Sequence, residues 1–463
     1  MVIGIIASLA LLTLIAYRGF SVILFAPLCA LLAAITAGMS LMPTYTEVFM
    51  GSAASYVKSF FPIFLLGAVF GKVMEDSGMA RSIARYITKA LGPSRAIVSI
   101  VLAAAILTYG GVSLFVVGFA VYPFAAAIFL EANFPRRLIP GAIALGAFGF
   151  TMTAVPGSPQ IQNIIPTKYF GTDAFAAPVF GLLGTAMIFF GGVIWLEYRR
   201  RKMVAAGEGY GQLDEREGAT SGSDGIADVP PLLAALPLLV VLVLNFILTK
   251  AIGNWDPAIM EPSSTLALAS KTIPVATWAL IIALVAGIVL AVLVSAKQFK
   301  LRGNLQTALN AGTIGSLLAI MNTASEVGYG NIIKALPGFM QVREALEGIF
   351  TNPLVSEAVM VNLLAGITGS ASGGMSIALE TMGAKYLEIA NQVGISPELL
   401  HRVAAMSSGG FDTMPHNGAV ITLLAICGLT HKQSYPDIGM VSLVIPVSTT
   451  FVLIAIYTLF GLA

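Results

Sequence analysis

The chain has 463 residues, of which 57% are hydrophobic and only 10% are charged, and its formal net charge is +2. Soluble domains carry about 25% charged residues, so this composition excludes a protein whose main solvent is water. The small net charge excludes a site for a polyanion, and we expect no nucleic-acid partner.

Apolar runs recur along the whole chain, and many approach the ~20 residues that a helix needs to cross a bilayer. Their continuity predicts spanning helices, because a bilayer offers backbone N–H and C=O groups no outside partner. We predict roughly seven spans in each half of the chain. They are residues 2–17, 20–38, 60–74, 95–107, 111–130, 138–155 and 174–196, then residues 232–248, 275–295, 313–335, 354–368, 372–390, 399–414 and 441–459.

A polar stretch separates the two halves. It opens with the basic residues 199–202 and continues with Gly, Ser, Asp and Glu. Basic residues near span ends mark the cytoplasmic side, so the stretch is predicted to be cytoplasmic. We divide the chain into a first transmembrane repeat (1–197), a polar cytoplasmic linker (198–230) and a second transmembrane repeat (231–463). An odd number of spans in each half makes the halves enter the membrane in opposite directions, as inverted repeats do.

Three short matches occur in the same order in both halves. Residues 75–78 resemble 325–328, residues 110–113 resemble 373–376, and residues 156–158 resemble 415–417. In this alignment Asp76 and Glu326 take matching positions near the tips of hairpins. The predicted fold class is therefore an all-α polytopic membrane protein with two inverted-topology repeats, helical hairpins and discontinuous transmembrane helices.

Four clusters of Gly, Pro and polar residues interrupt the apolar runs, two in each half. Such clusters break a helix, and the freed backbone groups must find partners in protein, water or a ligand. Helix N-termini at these breaks suit a carboxylate, which hydroxyls and amides can orient. The candidate substrate-binding residues are Thr108, Tyr109, Gly110, Gly111, Ser113, Pro156, Gly157, Ser158, Gln160, Asn163, Gly369, Ser370, Ser372 and Asn417. Close packing of transmembrane helices is the alternative reading, because small residues also allow helices to approach.

Ionisable residues within spans are expensive and indicate function. Asp412 and His416 are four residues apart, so they share a face if this segment is helical. His416 titrates near neutrality and can carry a proton. We take Asp412, His416, Glu326 and Asp76 as ion-coupling candidates for H⁺, with Na⁺ as the rival ion, since carbonyl and hydroxyl oxygens at the breaks can also coordinate Na⁺.

The sequence offers little for other chemistry. Residues 67–73 lack the spacing of a phosphate-binding loop, and Cys29 and Cys427 have no metal-type or redox-type spacing. We therefore expect no catalytic residues, no metal site and no cofactor. An intramembrane hydrolase that uses Ser113 or Ser372 with His416 is a weak alternative, because serines are common in Gly-rich helices.

The motifs at residues 70–78, the break at Tyr109, the Pro-Gly break at 156–157 and the segments 369–372, 394–399 and around Pro415 resemble the gluconate permease (GntP) family of the ion-transporter superfamily. The resemblance covers nearly the whole chain. It implies a multi-pass protein of the bacterial inner membrane, with inverted repeats and paired hairpins. It also implies cation-coupled uptake of a carboxylate, with an elevator-like movement, and leaves the oligomeric state open, with a homodimer as one candidate.

The breaks themselves depart from the sugar-acid permeases. Those proteins tend to carry an acidic residue at Gly110, a His-containing Pro-rich turn at 155–159 and an Asn-Asp-Pro turn at 413–417. The segments 109–113 and 156–160 instead resemble the branch of 3-hydroxybutyrate permeases. This favours proton-coupled symport of a short hydroxycarboxylate such as 3-hydroxybutyrate. The alternatives are a carrier of gluconate, another sugar acid or a di- or tricarboxylate, and a passive anion channel.

Overall fold

The structure is a computed structural model that describes residues 2–461 except 19, 113, 212–228, 253–274, 303–304, 340–351 and 416. The described part of the chain is helical and contains no strand, which confirms the all-α prediction. Because no ladder partner exists for these apolar segments, each satisfies its backbone groups within itself.

The first half contains eleven helices among the described residues: α1 (Val2–Tyr17), α2 (Val22–Thr36), α3 (Leu41–Pro43), α4 (Gly51–Asp76), α5 (Met79–Leu91), α6 (Ala96–Tyr109), α7 (Leu114–Glu131), α8 (Ile139–Ala147), α9 (Phe150–Thr153), α10 (Ile161–Phe170) and α11 (Pro178–Ala205). A π-helical turn, Thr44–Met50, joins α3 to α4.

The second half continues with α12 (Pro231–Ile252), α13 (Val275–Val294), α14 (Ala296–Arg302), α15 (Leu305–Ala335), α16 (Pro353–Thr368), α17 (Ala371–Val393), α18 (Pro397–Ser408), α19 (Gly418–Ile426), α20 (His431–Gly439) and α21 (Ile445–Phe460). Between α18 and α19 lies a 3₁₀ turn, Phe411–Thr413, and a π-helical turn, Met440–Val444, joins α20 to α21.

Within the described residues, five helical segments are long and apolar enough to cross a membrane, or six if the bent pair Met79–Leu91 and Pro93–Tyr109 counts as one span. This is fewer than the predicted spans, because several of those runs are divided by breaks. The predicted span 138–155, for example, is α8 and α9 separated at Gly149. That glycine has φ −81° and ψ −123°, which is outside the helical region.

The two halves share an order of elements. A long helix (α4 or α15) precedes a helix pair with a break between its members, α6 with α7 and α16 with α17. We call these interruptions the first and third breaks. A second interrupted pair follows, α8 with α10 and α18 with α19. Its interruptions, the second break (148–160) and the fourth break (409–417), each contain one short helical turn.

This order corrects two of the three sequence matches. Gly78, with φ +79°, lies in the turn between α4 and α5. Gly328 lies inside α15, so Glu326 is in the middle of a helix and not near the tip of a hairpin. The counterpart of Gly111, with φ +91°, is Gly369, with φ +65°, because glycine in this conformation ends a helix. Gly373, which the sequence aligned near this position, belongs to the first turn of α17.

Candidate substrate and ion site

All four breaks converge on one cavity of about 520 Å³. Gly111 comes from the first break, Gln160 from the second, Gly369 and Ser370 from the third, and Asn417 from the fourth. Continuous helices also contribute to the wall, among them α4 with Phe64 and α15 with Glu326. The cavity therefore draws on residues that are hundreds of positions apart in sequence.

The helices that follow the breaks all begin at this cavity. Their first residues, Leu114 of α7, Ile161 of α10, Ala371 of α17 and Gly418 of α19, line its wall. A helix N-terminus carries about half a positive charge and presents N–H groups without intrahelical partners. Four such ends around one space create a site that favours an anion.

An amide side chain links the two breaks within each half. In the first half, Nε2 of Gln160 donates to the carbonyl oxygen of Thr108 at 2.7 Å. In the second half, Nδ2 of Asn417 donates to the carbonyl oxygen of Gly369, also at 2.7 Å. Gln160 and Asn417 are the N-cap residues of α10 and α19. In each half the N-cap residue of the later helix is therefore joined to the end of the earlier helix, which supports the shared order of elements.

The N-termini of α10 and α19 differ in whether a side chain caps them. Asn417 caps α19 by accepting hydrogen bonds from the N–H groups of Ala419 and Val420 at 2.7 and 2.9 Å. No described side chain caps α10, so its first N–H groups stay available. Gln162, in the first turn of α10, lines the cavity, and its buried Oε1 has no partner among the described residues.

Glu326 places a buried carboxyl group in the wall of the cavity. The residue is 3% exposed, and Ser370 hydrogen-bonds its carboxyl group. The Oε2 atom has no partner among the described residues. A methyl group on Gly373 would overlap Oε2, so the glycine lets the carboxyl group reach the N-terminus of α17. An unpaired buried charge is costly, and a bound cation or proton removes that cost.

Asp412 supplies a second carboxyl group from the 3₁₀ turn of the fourth break. It is 5% exposed, lines the cavity, and has an Oδ1 atom without a partner among the described residues. The neighbouring Thr413 is held from behind, because Tyr435 donates to its carbonyl oxygen at 3.2 Å and Ser442 donates to its hydroxyl at 3.1 Å. The turn is thus fixed in the second half of the chain.

The rest of the lining is neutral. Among the described residues that line the cavity there is no Lys, Arg or His. The sequence prediction missed the polar residues Ser316, Asn322 and Thr323 of α15. No helix breaker marks these three positions, although in α15 small or polar residues recur at helical spacing on one face. Thr323 faces Ser372, with 3.3 Å between the hydroxyl oxygens.

Several predicted residues lie behind the cavity wall instead of in it. Tyr109 donates to the carbonyl oxygen of Pro156 at 3.0 Å, and Asn163 donates to that of Ser158 at 2.9 Å. Gly157 has φ +79° and packs against Phe175. Thr108, Tyr109, Gly110, Pro156, Gly157, Ser158 and Asn163 are absent from the described lining. They shape the breaks and do not face the cavity.

Two further predictions are not placed in the cavity. Asp76, at the end of α4, pairs with Lys72 at 2.9 Å, and its side chain is 30% exposed. It therefore does not match Glu326. Ser113 and His416 lie outside the described residues, so the interaction predicted between His416 and Asp412 stays a prediction.

A buried basic cluster lies behind the second break. Arg402 of α18 is 0% exposed and donates to the carbonyl oxygens of Thr153, Ala174 and Ala176 and to Oδ1 of Asn163. The neighbouring His401 is also fully buried. Its Nδ1 lies 2.6 Å from the hydroxyl of Thr172. This cluster fixes the first half of the chain to the second.

The described residues contain no group of three or more metal-ligating side chains. Ser372, one of the two serines considered for a hydrolase, has the hydroxyl groups of Thr323 and Ser370 as its neighbours. The site thus consists of helix ends, amides, hydroxyls and two carboxyl groups.

Comparisons with known proteins agree with a transporter. The chain is 50% identical to the uncharacterized transporter YxjC of Bacillus subtilis strain 168, over 99% of each chain. The YdaH transporter of Alcanivorax borkumensis has the same fold with a TM-score of 0.60 and 16% identity, covering 95% of this chain and 98% of that one. MtrF of Neisseria gonorrhoeae, from a class of antimetabolite efflux pumps, gives a TM-score of 0.52 and 13% identity over 91% and 86%.

A family model for GntP family permeases matches residues 1–459. A permease is a transporter and not a class of enzyme, and it implies a lipid bilayer and a small-molecule substrate. With its apolar helices and these relatives, the chain is a multi-pass protein of the bacterial inner membrane. It belongs to the GntP family of permeases.

Proposed function

We propose that this permease takes up a short monocarboxylate, such as 3-hydroxybutyrate, together with protons. One observation carries the proposal: four helix N-termini and two buried carboxyl groups share a cavity whose described lining has no basic side chain. The helix ends attract an anion. The carboxyl groups repel it unless they are protonated.

The charge balance favours symport over a passive channel. Two like charges about 4 Å apart repel by about 4 kcal/mol at an effective dielectric constant of 20. A carboxylate substrate would meet this penalty from Glu326 and from Asp412 if both were ionised. Protonation removes it, so proton and anion bind more tightly together than apart. That mutual dependence is the requirement for coupling.

The lining also favours a monocarboxylate over a di- or tricarboxylate. Citrate-like substrates bring further negative charges, which in proteins are usually matched by Arg or Lys. Apolar residues such as Val22, Ile63 and Leu284 form part of the wall, and hydroxyls and amides form the rest. A short acid with one hydroxyl group fits this mixture better than a sugar acid with many.

Purified protein in liposomes tests the proposal with radiolabelled 3-hydroxybutyrate. We expect saturable counterflow that unlabelled short monocarboxylates inhibit and that gluconate, succinate and citrate do not. An inward pH gradient without Na⁺ should drive accumulation. Flux that does not saturate would indicate a channel. A requirement for Na⁺ without dependence on pH would show that Na⁺, and not H⁺, is the coupling ion. His416→Gln, measured in parallel, tests the residue that the sequence selected for proton coupling.

A further inference from the structure

A second, smaller cleft of about 180 Å³ lies on another side of α15. Glu47, Ser55 and Lys168 at its edge are exposed, whereas Tyr56 and Val327 are buried. Since a water molecule in the liquid occupies about 30 Å³, the cleft has room for several. It therefore brings water to a buried part of the helix packing.

The turn of α15 that carries Glu326 borders both the substrate cavity and this cleft. Glu326 lines the cavity, while its neighbour in sequence, Val327, lines the cleft. Adjacent residues on a helix point about 100° apart. The same turn of α15 therefore forms part of the wall of both spaces, and the carboxyl group of Glu326 is the ionisable group on that turn.

Two buried hydroxyl groups lie on the side of Glu326 that faces the cleft. Tyr56 of α4 lines the cleft, and its hydroxyl lies beside that of Ser376 and within electrostatic reach of Glu326. Ser376 stands one turn after Gly373 on α17, and Gly373 contacts Oε2 of Glu326. Neither hydroxyl oxygen reaches hydrogen-bonding geometry with another described residue. Buried hydroxyls normally have partners, so these two have hydrogen-bonding capacity to spare.

We propose that protons reach Glu326 from the second cleft through the hydroxyl groups of Tyr56 and Ser376 and through water that fills the gaps beside them. A hydronium ion in the cleft gives up its proton, each hydroxyl or bridging water accepts one proton as it releases its own, and the carboxylate of Glu326 becomes a carboxyl group. The substrate reaches Glu326 from the opposite side, through the main cavity. The inference rests on the proposed proton coupling and adds the route by which the proton arrives.

The electrostatic surroundings suit this route. The ionisable groups around Glu326 and the cleft are Glu47 of the π-helical turn, Tyr56 of α4, Lys168 of α10, Glu380 of α17 and Asp412 of the fourth break. Tyr169 donates to Glu380 at 2.8 Å, and Lys334 donates to the carbonyl oxygen of Glu380 at 2.6 Å. Glu47 and Glu380 give the cleft acidic groups that attract protons and disfavour the substrate anion.

The test uses Tyr56→Phe and Ser376→Ala in liposomes, with 3-hydroxybutyrate as the substrate. Each change removes one hydroxyl and little volume. Two rates are measured for each variant, namely uptake driven by a pH gradient and counterflow at equal pH on both sides. We expect gradient-driven uptake to fall by about tenfold, the effect of losing one hydrogen bond, and counterflow to stay within about twofold.

Tyr329→Phe is the matched control. Tyr329 is also a buried tyrosine, on α15 itself, but its hydroxyl bonds Ser8 at 3.1 Å on the side of α1. We expect Tyr329→Phe to leave both gradient-driven uptake and counterflow unchanged. Gradient-driven uptake at the wild-type rate in the Tyr56→Phe, Ser376→Ala double variant would overturn the route, as would an equal fall in both rates. If the wild-type protein ignores the pH gradient, the proposed function itself fails, and that result is separate because it appears before any substitution.

Discussion

The carboxyl group of Glu326 is the residue-scale feature on which the proposed proton coupling depends most, because it is buried, faces the cavity and has an oxygen without a partner among the described residues. Glu326→Gln keeps the shape and removes the titration. We expect accumulation driven by a pH gradient to be abolished while counterflow continues, since a neutral side chain imitates the protonated form. Uptake assays in liposomes measure both.

Asp76→Asn is the matched control for Glu326→Gln. Both residues are ion-coupling candidates by sequence, but Asp76 pairs with Lys72 at 2.9 Å outside the cavity. Partly exposed ion pairs contribute only about 0–1 kcal/mol, so this change should leave accumulation intact. Loss of coupling in Asp76→Asn with retention in Glu326→Gln would reverse the assignment.

Gly373 tests whether the position of that carboxyl group matters. A methyl group there would overlap Oε2 of Glu326, whereas nothing lies within 4 Å of a methyl group on Gly315 in α15. We expect Gly373→Ala to lower transport at least tenfold. Gly315→Ala should preserve transport and stabilise the helix by up to about 1 kcal/mol. Initial uptake rates and thermal unfolding in detergent distinguish the two, and normal transport by Gly373→Ala would contradict the prediction.

Arg402 stabilises the fold through hydrogen bonds that its buried guanidinium group donates. Its guanidinium group is 0% exposed and binds the loop between α10 and α11 through carbonyl oxygens. Arg402→Lys cannot reproduce the planar set of donors. We expect it to lower the free energy of unfolding by about 3 kcal/mol, because several buried acceptors lose their donors. Arg201→Lys, at a side chain that is 74% exposed, should have no measurable effect on thermal unfolding.

At the scale of the elements, the N-cap of α19 has two tasks. Asn417 caps the helix and also donates to the carbonyl oxygen of Gly369 in the third break. Asn417→Ala should cost about 0.5–2 kcal/mol of stability for the cap. It should also raise the KM for substrate, because the two breaks lose their connection at the cavity.

Ser396→Ala separates these two effects. Ser396 caps α18 by accepting from the N–H group of Glu398 at 3.2 Å, and it is absent from the cavity lining. The same loss of a cap is therefore expected to lower the melting temperature without a change in KM. If both variants shift the melting temperature equally and neither changes KM, the connection between the breaks has no role in binding.

The sequence predicts the breaks well because their cause is local. Gly and Pro interrupt a helix wherever they cluster, so the third break and the Pro-containing parts of the second and fourth were visible without a structure. Which side chain faces the cavity is not local. Of the neighbours Gln162 and Asn163 only Gln162 lines the cavity, and the two side chains point about 100° apart around α10. That direction depends on the residue at which the helix starts.

The contribution of α15 was missed for the opposite reason. Ser316, Asn322 and Thr323 lie on a continuous helix, where no breaker draws attention to them. The sequence alignment between the two halves was also wrong at two of its three matches, because a match of a few small residues occurs easily in membrane helices. A better signal was available in the Gly-Phe pairs at 149–150 and 410–411, which open the corresponding turns of the second and fourth breaks.

At the scale of the whole molecule, the packing of the helices bears on the predicted inverted repeats. Tyr122 of α7 donates to the carbonyl oxygen of Cys427, just after α19, at 3.3 Å, and Tyr169 of α10 donates to Glu380 of α17. All four helices begin at the cavity. Thus α7 of the first half runs beside α19 of the second half, and α10 of the first half runs beside α17 of the second half.

Side-by-side packing of α7 with the counterpart of α10, and of α10 with the counterpart of α7, is what a rotation of about 180° around an axis in the membrane plane produces. The corresponding helices α7 and α17 should then lead from the cavity to opposite faces of the membrane. Their ends can be marked with Glu131→Cys and Gln392→Cys, at exposed positions near the ends of α7 and α17. The native Cys29 and Cys427 are buried and should react slowly.

An impermeant maleimide applied to intact cells reads out the two positions. We expect Gln392→Cys to react from outside and Glu131→Cys to react only after the membrane is opened. The basic residues Arg136 and Arg137 follow Glu131 in sequence, and Arg137 pairs at 2.6 Å with Glu208 of the linker that is predicted to be cytoplasmic, so we expect this end on the cytoplasmic side. Labelling of both cysteines from the same side would reject the inverted repeat, since helices related by such a rotation cannot end on one face.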